Sequence, residues 1–113
     1  MKKDLDYLDH ILECPEWIQR FTDEGREAFF RDRKTQSAVL RELQTLAEST
    51  QRLSNSMKNR HSEIPWSNIA GFRNVLVHDY LGINLERVWE IMERDLPPLQ
   101  AAIKVMRREA DKK

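Results

Sequence analysis

The chain contains little cysteine, glycine or proline and no long apolar run, and each shortage excludes a class of protein. With one cysteine, Cys14, among 113 residues, an internal disulfide is impossible. Three glycines and four prolines are too few for a turn-rich β fold and favour helices. Because no apolar run is long enough for a signal peptide or a membrane span, we expect a soluble, cytoplasmic protein that does not enter a membrane.

The charged residues balance over the whole chain but not along it. The chain carries 19 basic and 19 acidic residues, and a net charge of zero argues against a protein that coats nucleic acid regardless of sequence. Residues 31–60 nevertheless contain seven basic residues and only three acidic ones. The seven form either a local basic surface or ordinary solvated helix faces, and they are Arg31, Arg33, Lys34, Arg41, Arg52, Lys58 and Arg60.

Apolar residues three and four positions apart predict helices along most of the chain. We expect the first helix over residues 2–20, kinked or split by Pro15. A break should follow at residues 22–25, where Thr22 or Asp23 is suited to cap the next short turn.

A second helix is predicted from about residue 32 to 54. Its apolar stripe is formed by Val39, Leu43, either Leu46 or Ala47, Thr50 and Leu53, and Leu40 broadens it. Glu48 lies beside this stripe, which indicates either an ion pair or hydrogen bond within the fold or a role in a site. Residues 54–64 are polar and aperiodic and therefore predict a loop, in which we expect His61 to be solvated.

A fourth helix should begin after Asn84, a good N-cap, and end near Arg108 ahead of a frayed tail. Pro97 and Pro98 interrupt its apolar pattern, so we expect the helix to be kinked or restarted there. The predicted fold class is all-α, an antiparallel four-helix bundle with a kinked or split last helix, formed by one domain over residues 1–113.

The third predicted helix, residues 65–80, has Trp66, Ile69, Phe72 and Leu76 on its buried side. It ends in an unusual group of polar side chains: Arg73, Asn74, His78 and Tyr80. At about 100° per residue, Asn74 and His78 are neighbours one turn apart, whereas His78 stands about 140° from Arg73. Arginine is a fixed, forked cation suited to phosphate, and histidine is suited to proton transfer near neutral pH. The sequence shows no set of metal ligands, no glycine-rich phosphate loop and no Ser or Cys nucleophile motif.

Such a group is chemically adequate for cleaving RNA without a metal. The histidine would remove the proton of a ribose 2′-hydroxyl or protonate the leaving oxygen, while the arginine stabilises charge at phosphorus. One histidine cannot readily be base and acid at once, and two chains meeting across a symmetry axis would supply two. On the residues alone a structural role for Arg73 and His78 also stays open.

The pattern Arg73-Asn74-x3-His78-x-Tyr80 resembles the RN-x3-H-x-Y signature of the HEPN superfamily, in particular the HepT-type toxins encoded beside a minimal nucleotidyltransferase antitoxin of the MntA type. The resemblance covers nearly the whole chain. It implies an all-α homodimer in which the signatures of both chains line a cleft, acting as the toxin of a type VII toxin–antitoxin system.

The resemblance also implies a role for each residue of the signature. Arg73 and His78 would be the catalytic residues of a metal-independent ribonuclease that acts on tRNA or mRNA without a cofactor, and Asn74 would support them. Tyr80 would be the hydroxyl to which the partner nucleotidyltransferase attaches AMP. A bulky anionic group beside Arg73 would exclude RNA by charge and by volume.

Two departures from the family pattern leave other interpretations open. The family often has Gly-Glu-Ala where this chain has Ala47-Glu48-Ser49, and Cys14-Pro15 is an unusual break for the first helix. One alternative is a non-catalytic module that binds a nucleotide or docks a nucleotidyltransferase. A third interpretation is a structural four-helix dimerisation domain.

Overall fold

Helices account for almost all of the chain that the computed structural model describes, which is residues 2–72 and 84–111. In chain order they are α1 (Lys2–Phe21), α2 (Arg26–Arg31), α3 (Arg33–Arg52), α4 (Asn55–Arg60), α5 (Trp66–Ala70), α6 (Leu85–Glu90), a π-helical segment (Ile91–Asp95) and α7 (Leu96–Asp111). No strand occurs among these residues, and the predicted all-α class is confirmed.

Helix α1 packs along both α3 and α7. Asp4, near the beginning of α1, contacts Ser54, just beyond the end of α3. Arg107, near the end of α7, donates from Nε to Asp9 Oδ1 of α1 over 2.8 Å. Both neighbours therefore run antiparallel to α1. The four-helix bundle arrangement and the homodimer stay predictions.

The buried side of α3 is the stripe that the sequence predicts, with every member between 0% and 3% exposed: Val39, Leu43, Leu46, Ala47, Thr50 and Leu53. Burying each large aliphatic side chain contributes about 1.5–3 kcal/mol. Asp32 caps the helix, accepting from the backbone N–H of Lys34 at 3.0 Å and from Thr35 Oγ1 at 2.8 Å. The hydrogen bond from Thr35 is the main reason that the pKa of Asp32 lies below its ordinary value.

Pro15 does not divide α1, which is continuous from Lys2 to Phe21, so of the two predicted outcomes the split does not occur. The buried residues on both sides of the proline face the same core, and that shared packing outweighs the one backbone hydrogen bond that Pro15 cannot make.

The predicted caps after α1 are wrong. Gly25 caps α2 with φ at 97° and no side-chain bond, while Thr22 Oγ1 donates to the carbonyl of Ile18.

The predicted loop at residues 54–64 is wrong, because residues 55–60 form α4. Ser54 caps this helix by accepting from the backbone N–H of Met57, and the Met57 side chain is 3% exposed. One apolar residue is too few for a periodic signal, but a serine three positions ahead of it is a recognisable N-cap pattern. The tail also differs from expectation, because α7 remains helical to Asp111.

The interruption predicted at Pro97 and Pro98 takes the form of the π-helical segment directly before them. The N–H of Leu96 donates to the carbonyl of Ile91, five residues back, instead of four. Pro97 and Pro98 have no backbone N–H to donate. Because the π-helical segment ends directly before them, both prolines lie in the first turn of α7, where a missing N–H is tolerated. Asn84 is the N-cap of α6, as predicted.

Candidate functional site

The predicted site residues Arg73, Asn74, His78 and Tyr80 all lie outside the described residues, and so does Leu76. The structure does describe Phe72 and Asn84, the residues on either side of that stretch.

The residues leading to Arg73 are fixed in the core. Trp66 donates its indole N–H to the backbone carbonyls of His61 at 3.1 Å and Lys58 at 3.3 Å, which ties the start of α5 to the end of α4. Ile69 and Phe72 are each 3% exposed. The sequence analysis predicted this buried side correctly for Ile69 and Phe72, while Trp66 is half-buried. The residue bonded to Arg73 thus belongs to the hydrophobic core.

The residues that follow the stretch are held by a helix cap. Asn84 Oδ1 accepts from the backbone N–H of Arg87 at 3.1 Å, and its backbone carbonyl accepts from Val88 at 3.1 Å. Val88 is fully buried. Both ends of residues 73–83 are therefore joined to packed helices, one through a buried aromatic ring and the other through a capped helix start.

A cavity of about 260 Å³ lies beside Phe72, between the α5 region and the beginning of α7. Its wall is mostly apolar, with polar groups from three side chains, and its lining residues are Glu63, Ile64, Pro65, Asn68, Ile69, Phe72, Asp95, Pro98, Leu99 and Ala102. The sequence analysis missed this cavity, because its two walls are about 30 residues apart in the chain and no local pattern joins them.

Two small ion-pair networks flank this cavity. Both nitrogens of His61 lie 3.6 Å from carboxylate oxygens, Nδ1 from Glu63 and Nε2 from Glu109. The His61 side chain is only 18% exposed, so the expectation that it is solvated is wrong. Arg87 Nη1 lies 3.5 Å from Glu90 and 3.9 Å from Asp95. In each network one carboxylate lines the cavity and the other does not.

Two other ionisable side chains, Cys14 and Glu48, are at least half-buried. Burial, and next to it the carboxylate of Glu42, raises the pKa of the Cys14 thiol to about 12, so this cysteine is not a ready nucleophile. Glu48 is half-buried and accepts a long hydrogen bond of 3.4 Å from Gln44, which favours the role within the fold. Within residues 2–72 and 84–111, no three His, Cys, Asp or Glu side chains are placed to hold a metal ion.

The seven basic residues between positions 31 and 60 do not form one surface patch. Arg33 and Arg52 are the first and last residues of α3. A 20-residue helix is about 30 Å long, so these two residues lie far apart, at opposite ends of α3. Lys58 is half-buried and its Nζ lies 3.3 Å from the carbonyl of Gln51. Solvated helix faces describe these residues better than a single basic surface.

The sequence matches the family described as "Ribonuclease HepT-like" over residues 11–106, which includes the whole signature at 73–80. The chain is 38% identical over 104 residues to a protein named "Probable ribonuclease HepT" from Thermococcus cleftensis, covering 91% of this chain and 94% of that protein. It is 35% identical over 105 residues to a protein named "Putative RNase" from Caldanaerobacter subterraneus subsp. tengcongensis, covering 92% and 94% of the two chains.

A third relative shows the same sequence region inside a longer protein. A protein of Methanocaldococcus jannaschii named "Gamma-glutamylcyclotransferase and putative RNase" is 34% identical over 114 residues, which is 99% of this chain and 51% of that protein. No solved structure matches the chain. None of the helices within the described residues is long and apolar enough to cross a membrane.

Proposed function

Because the chain belongs to the HepT-like ribonuclease family, we propose that it is a toxin ribonuclease that cleaves tRNA or mRNA. The observation that carries the proposal is the family match over residues 11–106, which contains Arg73, His78 and Tyr80 at the signature spacing. The residues on either side of the same stretch are packed, since Phe72 is buried in the core and Asn84 caps α6.

In the proposed reaction, His78 removes the proton of a ribose 2′-hydroxyl. The oxygen attacks the adjacent phosphorus, and the bond from phosphorus to the 5′-oxygen of the next nucleotide breaks. That leaving oxygen takes a proton from a protonated His78 of a second copy. Arg73 stabilises the negative charge that grows on the phosphoryl oxygens, and Asn74 orients His78 or the substrate. A homodimer supplies the two histidines that such an acid–base pair requires.

Tyr80 is the proposed control point. A nucleotidyltransferase partner of the MntA type would attach AMP to its hydroxyl, as the antitoxin of a type VII system. The attached phosphate is anionic and lies near the cation that binds the RNA phosphate, so modification competes with the substrate for Arg73. The volume of the nucleotide would also exclude the RNA strand.

The test is cleavage of total cellular RNA by the purified chain in buffer containing EDTA. We expect cleavage, and we expect Arg73→Ala and His78→Ala to lower the rate by about 10²–10⁴-fold, the range for loss of acid–base or charge-stabilising groups. Arg108→Ala and His10→Ala are matched controls at exposed positions of α7 and α1 and should keep the rate. A chain that binds nucleotide or partner but cleaves no RNA would establish the non-catalytic module instead.

The regulatory part has its own experiment. The chain has two tyrosines, Tyr7 and Tyr80. Co-expression with the partner nucleotidyltransferase should add AMP to the wild-type chain and to Tyr7→Phe, as seen by intact-protein mass, and should end RNA cleavage and growth arrest. Tyr80→Phe should stay unmodified and toxic. Modification of Tyr80→Phe would disprove this assignment without affecting the ribonuclease proposal.

A further inference from the structure

The cavity beside Phe72 has a composition that suits a nucleobase better than a phosphate or an apolar side chain. Most of its lining is apolar and includes Phe72 and Leu99. Its polar groups come from Glu63, Asn68 and Asp95. The two carboxylate side chains are 70% and 42% exposed, which places them at the opening.

The size of the cavity suits a single ring system. About 260 Å³ is slightly below the roughly 300–1,000 Å³ of pockets that enclose a drug-sized molecule. One ring system fits such a space. A single-stranded RNA base is flat, apolar on its faces and polar at its edge, and proteins bind such bases by stacking and by hydrogen bonds to that edge.

The charges at the opening select among bases. Carboxylate oxygens only accept hydrogen bonds, so they attract the amino groups of cytosine, adenine and guanine and repel the carbonyl oxygens of uracil. The Asn68 amide can donate to the ring nitrogen or carbonyl next to the amino group. The same carboxylates repel phosphate, so the RNA backbone would remain outside the cavity.

The position of the cavity connects it to the proposed chemistry. Phe72 lines the cavity and is covalently bonded to Arg73, the proposed phosphate ligand. We propose that the cavity lined by Phe72, Asn68, Glu63 and Asp95 binds one amino-bearing base of the RNA substrate next to the phosphate that is cleaved. This inference rests on the proposed ribonuclease function, whose substrate preference it specifies.

The test compares two octanucleotides, oligo-C and oligo-U. At ring position 4, cytosine carries an amino donor where uracil carries a carbonyl acceptor. Fluorescence anisotropy with the His78→Ala chain measures binding without cleavage. We expect oligo-C to bind about tenfold more tightly than oligo-U, a modest ratio because both carboxylates are partly solvated. Asp95→Asn and Glu63→Gln should each reduce that ratio severalfold, and together they should bring it close to one.

The two ion-pair networks provide matched controls. Glu90→Gln removes a carboxylate from Arg87, as Asp95→Asn does, and Glu109→Gln removes one from His61, as Glu63→Gln does. Neither control residue lines the cavity, so both variants should keep the tenfold ratio. Equal binding of the two octanucleotides by the parent protein, or loss of the ratio in the controls as well, would overturn the proposal.

A volume test is independent of charge. Ala102 lines the cavity and is half-buried, whereas its neighbour Ala101 is exposed and does not line it. Ala102→Leu should weaken oligo-C binding about tenfold, and Ala101→Leu should not. If Ala102→Leu leaves RNA affinity unchanged but alters the mass in sedimentation, the cavity receives a second copy of the chain and the base proposal fails. A wild-type chain that cleaves no RNA would refute the ribonuclease proposal and this inference with it. A chain that cleaves RNA but binds the two octanucleotides equally would refute this inference alone.

Discussion

Replacing Asp4 with alanine should destabilise the protein more than any exposed substitution in α1. Asp4 is 6% exposed, and its two carboxylate oxygens accept from the backbone N–H of Ser54 at 2.9 Å and from Ser54 Oγ at 2.8 Å. A hydrogen bond to a charged group contributes about 1.5–3 kcal/mol, but the two share one carboxylate and are only partly buried. We therefore expect Asp4→Ala to lower the free energy of unfolding by about 2–3 kcal/mol.

The effect should be visible in both chemical and thermal unfolding followed by circular dichroism. With an unfolding entropy of about 2.1 cal/mol/K per residue, a loss of 2–3 kcal/mol lowers Tm by roughly 8–13 °C for a chain of this length. Asp6→Ala, at an exposed position of the same helix, is the control and should change Tm by about 2 °C or less. Asp4→Asn keeps an acceptor and should fall between them.

A double-mutant cycle determines whether the loss comes from the contact itself. Ser54→Ala removes the hydroxyl that Asp4 accepts from, and it also removes the cap of α4. Its own cost should be about 1–2 kcal/mol. Because the two side chains share a hydrogen bond, the double variant should lose about 1 kcal/mol less than the sum of the single losses. Strict additivity, or an Asp4→Ala variant as stable as Asp6→Ala, would refute the idea that this contact joins α1 to the α3–α4 junction.

Four further predictions concern three side chains. Asn84→Ala should lower the free energy of unfolding by about 1 kcal/mol through loss of the bond to Arg87, and Asn84→Ser should recover most of it, as urea unfolding would show. Cys14 should react very slowly with a thiol reagent at pH 8, since its pKa is raised to about 12, and Glu42→Gln should speed the reaction by removing a contributing charge. Because burial raises the pKa of Cys14 in the folded chain above its ordinary value of 9.0, the contribution of Cys14 to stability is present below pH 9 and is lost as pH rises toward 12. A Cys14→Ala variant should lack that decline. Trp66→Phe should cost about 1 kcal/mol by leaving two carbonyls without their indole donor, measured by thermal unfolding.

The sequence predicted best where periodicity and capping chemistry agree. The α3 stripe, its start after Asp32 and the Asn84 cap were all predictable, because repeated burial and a short polar side chain are local signals. Prediction from the sequence failed at α4, because its one buried residue, Met57, cannot form a periodic apolar pattern. It also failed at His61, because its partner Glu109 is 48 residues away in the chain. The catalytic assignment of the signature depends on family resemblance and stays a prediction.

The π-helical segment could have been predicted from the sequence, because the spacing of the apolar residues changes there. Buried residues from α6 to α7 follow one another in steps of three or four, except for a single step of five: Val88, Ile91, Leu96, Leu99, Ile103 and Met106. That step of five coincides with the bond from the Leu96 N–H to the Ile91 carbonyl. An α-helix would turn Leu96 and all later apolar residues by about 100° away from the core, so burial of both stripes requires the wider turn. The proline pair then fixes where it occurs. The same turn delivers Asp95 and Pro98 to the cavity beside Phe72, which connects the phase of the last helix to the substrate preference proposed for the site.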